Sequence, residues 1–111
     1  MSLETIANQT LLAATTFTAD TASAKFALTT FDEIGIQIVW TGLTGTINGT
    51  YVVQYSNDGT NWDNATTPIS FSGANGNDCL PFENAFFNYV RISCAVGGIT
   101  GGEISASITL K

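Results

Sequence analysis

Gln54-Tyr55-Ser56-Asn57-Asp58-Gly59-Thr60-Asn61-Trp62 (QYSNDGTNW) gathers an acid, three hydroxyls, two asparagine amides, a glycine and a tryptophan into nine residues. As a binding site it would make the chain a receptor; as a turn it fixes a β-hairpin. The turn reading accounts for each position. Asn57-Asp58-Gly59 ends the alternating run Thr50–Ser56 (TYVVQYS), and an Asx-Gly pair supplies the positive φ that a tight hairpin requires. Ser56 and Asp58 are placed to cap nearby backbone N–H groups. Trp62 is expected to fold back over Tyr55 or Val53.

Strand signals run outward from this turn. Ile34, Ile36, Ile38 and Trp40 alternate with smaller or polar residues, as in a strand with one face in a core. Val90, Ile92 and Cys94 alternate within Phe87 to Ala95, and Ile104, Ala106, Ile108 and Leu110 within Glu103 to Leu110. Shorter runs lie at Ala13 to Thr18, Lys25 to Thr30, Pro68 to Ser72 and Cys79 to Phe82. Glycine-rich connections separate them, at Gly42 to Gly49, Gly73 to Asp78 and Gly97 to Gly102. The pattern predicts an all-β chain: an antiparallel β-sandwich of about eight strands, jelly-roll-like, with the immunoglobulin-like strand order left open. Residues 1–12 are expected to form an N-terminal arm and 13–111 a single domain. Leu3, Ile6, Leu11 and Leu12 make that arm too apolar for a solvated tail, which suggests packing on a neighbouring copy.

Composition narrows the function. A chain of 111 residues is large enough for one core without metal or disulfide support. Only 11% of residues are charged, less than half of the usual quarter or so. The net charge of −6 and a cation set of Arg91, Lys25 and Lys111 cannot build a phosphate-binding patch, so no nucleic-acid partner is expected, nor an anionic membrane surface. No apolar run approaches the roughly 18 residues of a membrane helix. The first residues carry Glu4 and no cation before their apolar part, a poor secretory signal, so synthesis in the cytoplasm is expected.

Catalytic and cofactor chemistry find no foothold. Histidine is absent, which removes Ser–His–Asp and Cys–His catalysis within the chain. Asp58 and Asp63 fall in one turn region, unlike two carboxylates converging across a sugar, and the stretch lacks the calcium-loop pattern. Cys79 and Cys94 allow one bridge at most and are expected as two buried thiols. No catalytic, cofactor or metal residue is assigned, no cofactor is expected, and the chain is expected not to be an enzyme. Trp40, Tyr51, Tyr55, Trp62 and Tyr89 are the aromatic candidates for a sugar platform, with Trp40 placed in the core by its phase. Phe87 and Tyr89 lie opposite Val90 and Ile92 in phase and form a candidate contact patch: a subunit interface, a second core face or a glycan site.

Tyr51-Val52-Val53-Gln54-Tyr55-Ser56-Asn57-Asp58-Gly59-Thr60-Asn61-Trp62 and Tyr89-Val90-Arg91-Ile92 resemble two framework motifs of discoidin-type (coagulation factor 5/8 C-type) β-sandwich domains. With Ile36-Gln37-Ile38-Val39-Trp40-Thr41-Gly42 upstream, the combination is more similar to small β-sandwich proteins of bacterial viruses. The resemblance covers roughly residues 34–95. Discoidin domains are longer and tie their ends with a disulfide, whereas both cysteines here are internal, and no ligand-binding residue carries over. The resemblance implies a virion component, such as a capsid decoration, vertex, spike or tail accessory protein. Such a protein would assemble with itself or with other capsid or tail proteins. The alternative is a carbohydrate-binding module or adhesin head that recognises cell-surface glycans.

Overall fold

A computed structural model describes residues 7–28, 33–82 and 87–110. They form β1 (Ala7–Thr16), β2 (Thr21–Ala22), β3 (Phe26–Ala27), β4 (Ile34–Gly45), β5 (Thr50–Ser56), β6 (Asp63–Asn64), β7 (Ile69–Ser70), β8 (Gly76–Phe82), β9 (Tyr89–Ala95) and β10 (Ile99–Leu110). The first sheet has the order β1-β10-β4-β8; the second runs β2-β9-β5-β6, with β3 also on β9 and β7 also on β5. Every pairing is antiparallel.

β2 and β3 lie along one edge of β9, and β6 and β7 along one edge of β5, so each short pair reads as one interrupted strand. Counted this way, the described residues hold eight strands, in the orders 1-8-3-6 and 2-7-4-5. That is the jelly-roll order, which the sequence left open against the immunoglobulin-like one.

Alternation builds the core. Ile34, Ile36, Ile38 and Trp40 of β4 stand opposite Leu110, Ile108, Ala106 and Ile104 of β10, and all are buried. From the second sheet Val53 faces Ile92 and Tyr51 faces Cys94. Phe71 sits among three rings, with centroids 5.5 Å from Phe17, 5.2 Å from Trp40 and 5.0 Å from Tyr51. Such tilted and edge-on pairs each add about 0.5–1.5 kcal/mol beyond their buried area. The Trp40 Nε1–H donates to the Gly73 carbonyl at 3.2 Å, which satisfies the indole's polar atom.

Two expectations change. Strand β1 begins at Ala7, inside the segment read as an arm, and Leu11 and Leu12 are buried in this chain's own core; Leu3 and Ile6 lie outside the described residues. Two neighbours can both point inward because the register with β10 shifts between Thr10 and Leu12, and a β-bulge breaks the alternation there. Cys94 is buried as expected, but Cys79 is exposed, since on β8 it alternates with Asp78 and Leu80; both thiols are free. Within the strand expected over Lys25 to Thr30, Phe26 and Ala27 pair with β9 and the Leu28 N–H donates to the Asn88 carbonyl at 2.7 Å; Thr29 and Thr30 lie outside the described residues.

Candidate contact faces of the sandwich

Within the stretch Gln54–Trp62, residues Ser56 to Asn61 close a turn through their own bonds. The Ser56 hydroxyl accepts from the backbone N–H of Asp58 at 3.2 Å and of Gly59 at 2.9 Å, and donates to Asp58 Oδ1 at 2.9 Å. Asp58 Oδ1 also accepts from the N–H of Thr60 and of Asn61, both at 2.8 Å, and Oδ2 accepts from Asn61 Nδ2 at 2.8 Å. Gly59 takes φ 76°, a region where a side chain is strained. The backbone N–H groups of Asn61 and Thr60, then the side chains of Asn61 and Ser56, hold the Asp58 carboxyl well below the usual carboxylate range. Its oxygens are committed to the turn. Asn88 donates two further bonds to Asn57, from its N–H to Oδ1 and from its Nδ2 to the carbonyl, and ties the turn to the segment before β9.

Beside this turn lies the outer face of the second sheet. Gln54 and Arg91 are register partners there, and Arg91 Nε–H donates to Gln54 Oε1 at 2.8 Å. Gln54 Nε2–H donates in turn to Asn64 Oδ1 at 3.0 Å. The Arg91 guanidinium lies over the Trp62 ring, 4.4 Å from its centroid. One step along β9, the Lys25 ammonium sits 5.1 Å from the centroid of the Tyr89 ring. Two of the chain's three cations thus occupy one face, each over an aromatic ring.

The expected patch divides. Tyr89 is on this outer face beneath Lys25, whereas Phe87 stacks on Tyr55 at 4.8 Å among the residues packed against the core. Trp62 does not fold over Tyr55 or Val53, because those residues share the inward phase of β5 while the ring goes to Arg91 on the other side. Trp40 and Tyr51 are core residues. Sequence reading passed over Arg91, Gln54 and Asn64. The period-two phase that put Tyr89 outside also puts Arg91 there, and that signal was available.

The outer face of the first sheet differs in kind. Gln37 and Val39 of β4 stand between Ser105 and Ser107 of β10 and Asn77 and Cys79 of β8. A shallow hollow of about 370 Å³ lies over Thr10, Ala14, Val39 and Ser105, and another of about 350 Å³ over Gly35, Cys79, Pro81 and Thr109. Neither has a charged residue in its lining. Val39, 36% exposed, is the large hydrophobic residue left in solvent among the described residues.

No protein-family model and no curated protein matches the chain. Its fold is similar to that of several solved structures. The SPBc2 prophage-derived protein YomS superposes with a TM-score of 0.64 at 17% identity, over 100% of this chain and 97% of that one. The chitosan-binding module 1 of a chitosanase/glucanase from Paenibacillus sp. IK-5 gives 0.55 at 20% identity, over 93% and 99%. A chain of infectious bursal disease virus, Gx strain, gives 0.58 at 9% identity, over 96% of this chain and 32% of the viral one. These likenesses establish the β-sandwich fold.

Proposed function

We propose that the chain is a non-enzymatic structural component of a bacteriophage particle, acting through self-assembly and contacts with other capsid or tail proteins. The observation that carries this reading is the outer face of the first sheet. Its centre is built of small, uncharged side chains around Val39, with two shallow hollows that a neighbouring surface can fill. A copy carrying −6 repels another at long range, but at physiological salt that repulsion is screened beyond about 8 Å, and an uncharged face adds no local penalty. The fold shared over nearly the full length of both chains with a prophage-derived protein supports the same reading.

The test is solution size. Light scattering coupled to size exclusion should find an oligomer, or a complex with a particle protein, that Val39→Glu and Gln37→Glu break without unfolding the sandwich. A monomer at all concentrations, with no partner recovered from purified particles, overturns the reading.

A second reading, a carbohydrate-binding module, is favoured by the Trp62–Arg91–Gln54–Asn64 cluster, and a chitosan-binding module shares the fold. Screening the chain on a glycan array tests it.

A further inference from the structure

We infer that the outer face of the second sheet is a binding site for a carboxylate-bearing saccharide. This rests on the carbohydrate-binding reading above and adds the residues and the charge class of the ligand.

The argument starts from hydrogen-bond direction. Arginine donates only, so at 2.8 Å from Arg91 Nε the Gln54 side chain must present its oxygen. Its nitrogen then faces Asn64, which must present its own oxygen at 3.0 Å. The acceptors of this strip therefore already hold partners inside the protein. What the strip offers outward is N–H: the Nη edge of Arg91 and the Nδ2 of Asn64. The Lys25 ammonium over Tyr89 adds more donors and no acceptor.

A surface of this kind selects a ligand rich in acceptors and negatively charged. A guanidinium fork matches a carboxylate in a bidentate, charge-assisted pair. Stacking of its planar fork on Trp62 sets the direction of Arg91, so less order is lost on binding. Tyr89 and Arg91 lie two residues apart on β9, about 7 Å along the strand, so two rings and two cations follow one line. A flat, repeating ligand can lie along that line, with acid groups at Arg91 and Lys25. The neighbouring acids take no hydrogen bond from this strip. Asp58 is filled by its own turn, and Asp63 stands opposite Tyr55 on the inward phase of β5. The same donors disfavour an amino sugar polymer such as chitosan, whose ammonium groups would meet Arg91 and Lys25.

The experiment is calorimetry on the full chain with oligogalacturonate, a hyaluronan hexasaccharide and sialyllactose, alongside methyl-esterified oligogalacturonate and deacetylated chitohexaose. At least one acidic sugar should bind, with affinity falling as salt rises. Esterification and Arg91→Gln should each weaken binding about tenfold, close to 1.4 kcal/mol. Lys25→Gln, which leaves the Arg91–Gln54 bond in place, should weaken it less and serves as the second variant if Arg91→Gln fails to fold. Equal binding of ester and acid overturns the charge class but leaves the carbohydrate reading standing. Absence of binding by every saccharide overturns both. Unchanged affinity in both folded variants removes the site from this face. Loss of self-association in those variants, without saccharide binding, replaces the inference with a protein contact.

Discussion

The Tyr51 hydroxyl donates to Asp78 Oδ2 at 2.6 Å, and that bond joins β5 of one sheet to β8 of the other. Tyr51 is 2% exposed and packs against Trp40 and Phe71, so its ring fills core while its polar end reaches an acid on the first sheet. Hydrogen bonds to charged groups contribute about 1.5–3 kcal/mol. Tyr51→Phe keeps the ring and removes the donor. It should lower the unfolding free energy by that amount in a urea titration, with an unchanged slope. Wild-type stability in Tyr51→Phe would mean that this bond adds nothing net to the joining of the two sheets.

Gly76 opens β8 against the Trp40 indole. A Cβ built there would lie 2.6 Å from Trp40 Cζ2 and 2.9 Å from Cε2, closer than real contacts allow. The indole cannot retreat, because it is 1% exposed and its Nε1–H is held by Gly73. Gly76→Ala should therefore cost about 1–3 kcal/mol, as overpacked cores do, and should alter the near-ultraviolet circular dichroism of Trp40. Gly73, where a Cβ meets nothing within 4 Å, is the comparison; there only the φ of 94° opposes a side chain.

Acid should weaken the fold through the QYSNDGTNW turn. The Asp58 carboxyl is lowered from its ordinary 3.8 by the N–H and side-chain donors around it. In the unfolded chain that group takes up a proton near its ordinary value, while the native turn still resists it. Stability contributed by the turn is thus fully present above about pH 4 and is lost as pH falls toward the lower native value. Asp58→Asn should flatten the acid limb of the stability profile. An identical acid limb in the variant would show that other carboxyls set it.

Regular pairing is what made much of this fold legible. Ile34 to Trp40 and Ile104 to Leu110 pair residue against residue without interruption, so their period of two survives in the sequence. Leu11 and Leu12 sit at a bulge, where two adjacent side chains face the core, and period-two reading has no pattern to find. The turn was legible because the bonds of Ser56 and Asp58 that close it are all local. Where Trp62 points was not, since its partner Arg91 comes from a strand far along the chain, and sequence phase gives a residue's face but not its neighbour. Alternation is likewise silent on strand order, which is why the jelly-roll pairing had to come from the structure.

The two thiols should behave differently. Cys79 is exposed and Cys94 is buried, and burial pushes the Cys94 thiol from 9.0 up to about 12. A maleimide should label one cysteine in the native protein and both after unfolding. The same shift sets an alkaline limit. Above about pH 9 the unfolded chain loses the Cys94 proton while the native state keeps it, so stability is intact below that pH and declines toward pH 12. The slope for one such group is about 1.4 kcal/mol per pH unit. Burial and the Asp78 bond also raise the Tyr51 phenol, which acts in the same direction from about pH 10 upward. Cys94→Ala should postpone the decline to the tyrosine range.

Removing residues 1–12 should unfold the protein. Register partners from Ala7↔Leu110 to Leu12↔Ala106 line up β1 along β10, so the deletion strips most of an edge strand and exposes the flank of Ile108 and Ala106. It also takes Leu11 and Leu12 out of the core. Truncating a buried leucine to alanine costs about 2–5 kcal/mol, and losing two comes close to the whole stability of a small domain, about 5–15 kcal/mol. Circular dichroism of the 13–111 chain should show no cooperative thermal transition, while Leu11→Ala alone keeps the transition at a lower midpoint. If β1 were an arm for a neighbouring copy, the shortened chain would melt like the full one and only its oligomeric size would change. A native-like melting curve from the 13–111 chain would return Leu11 and Leu12 to that role.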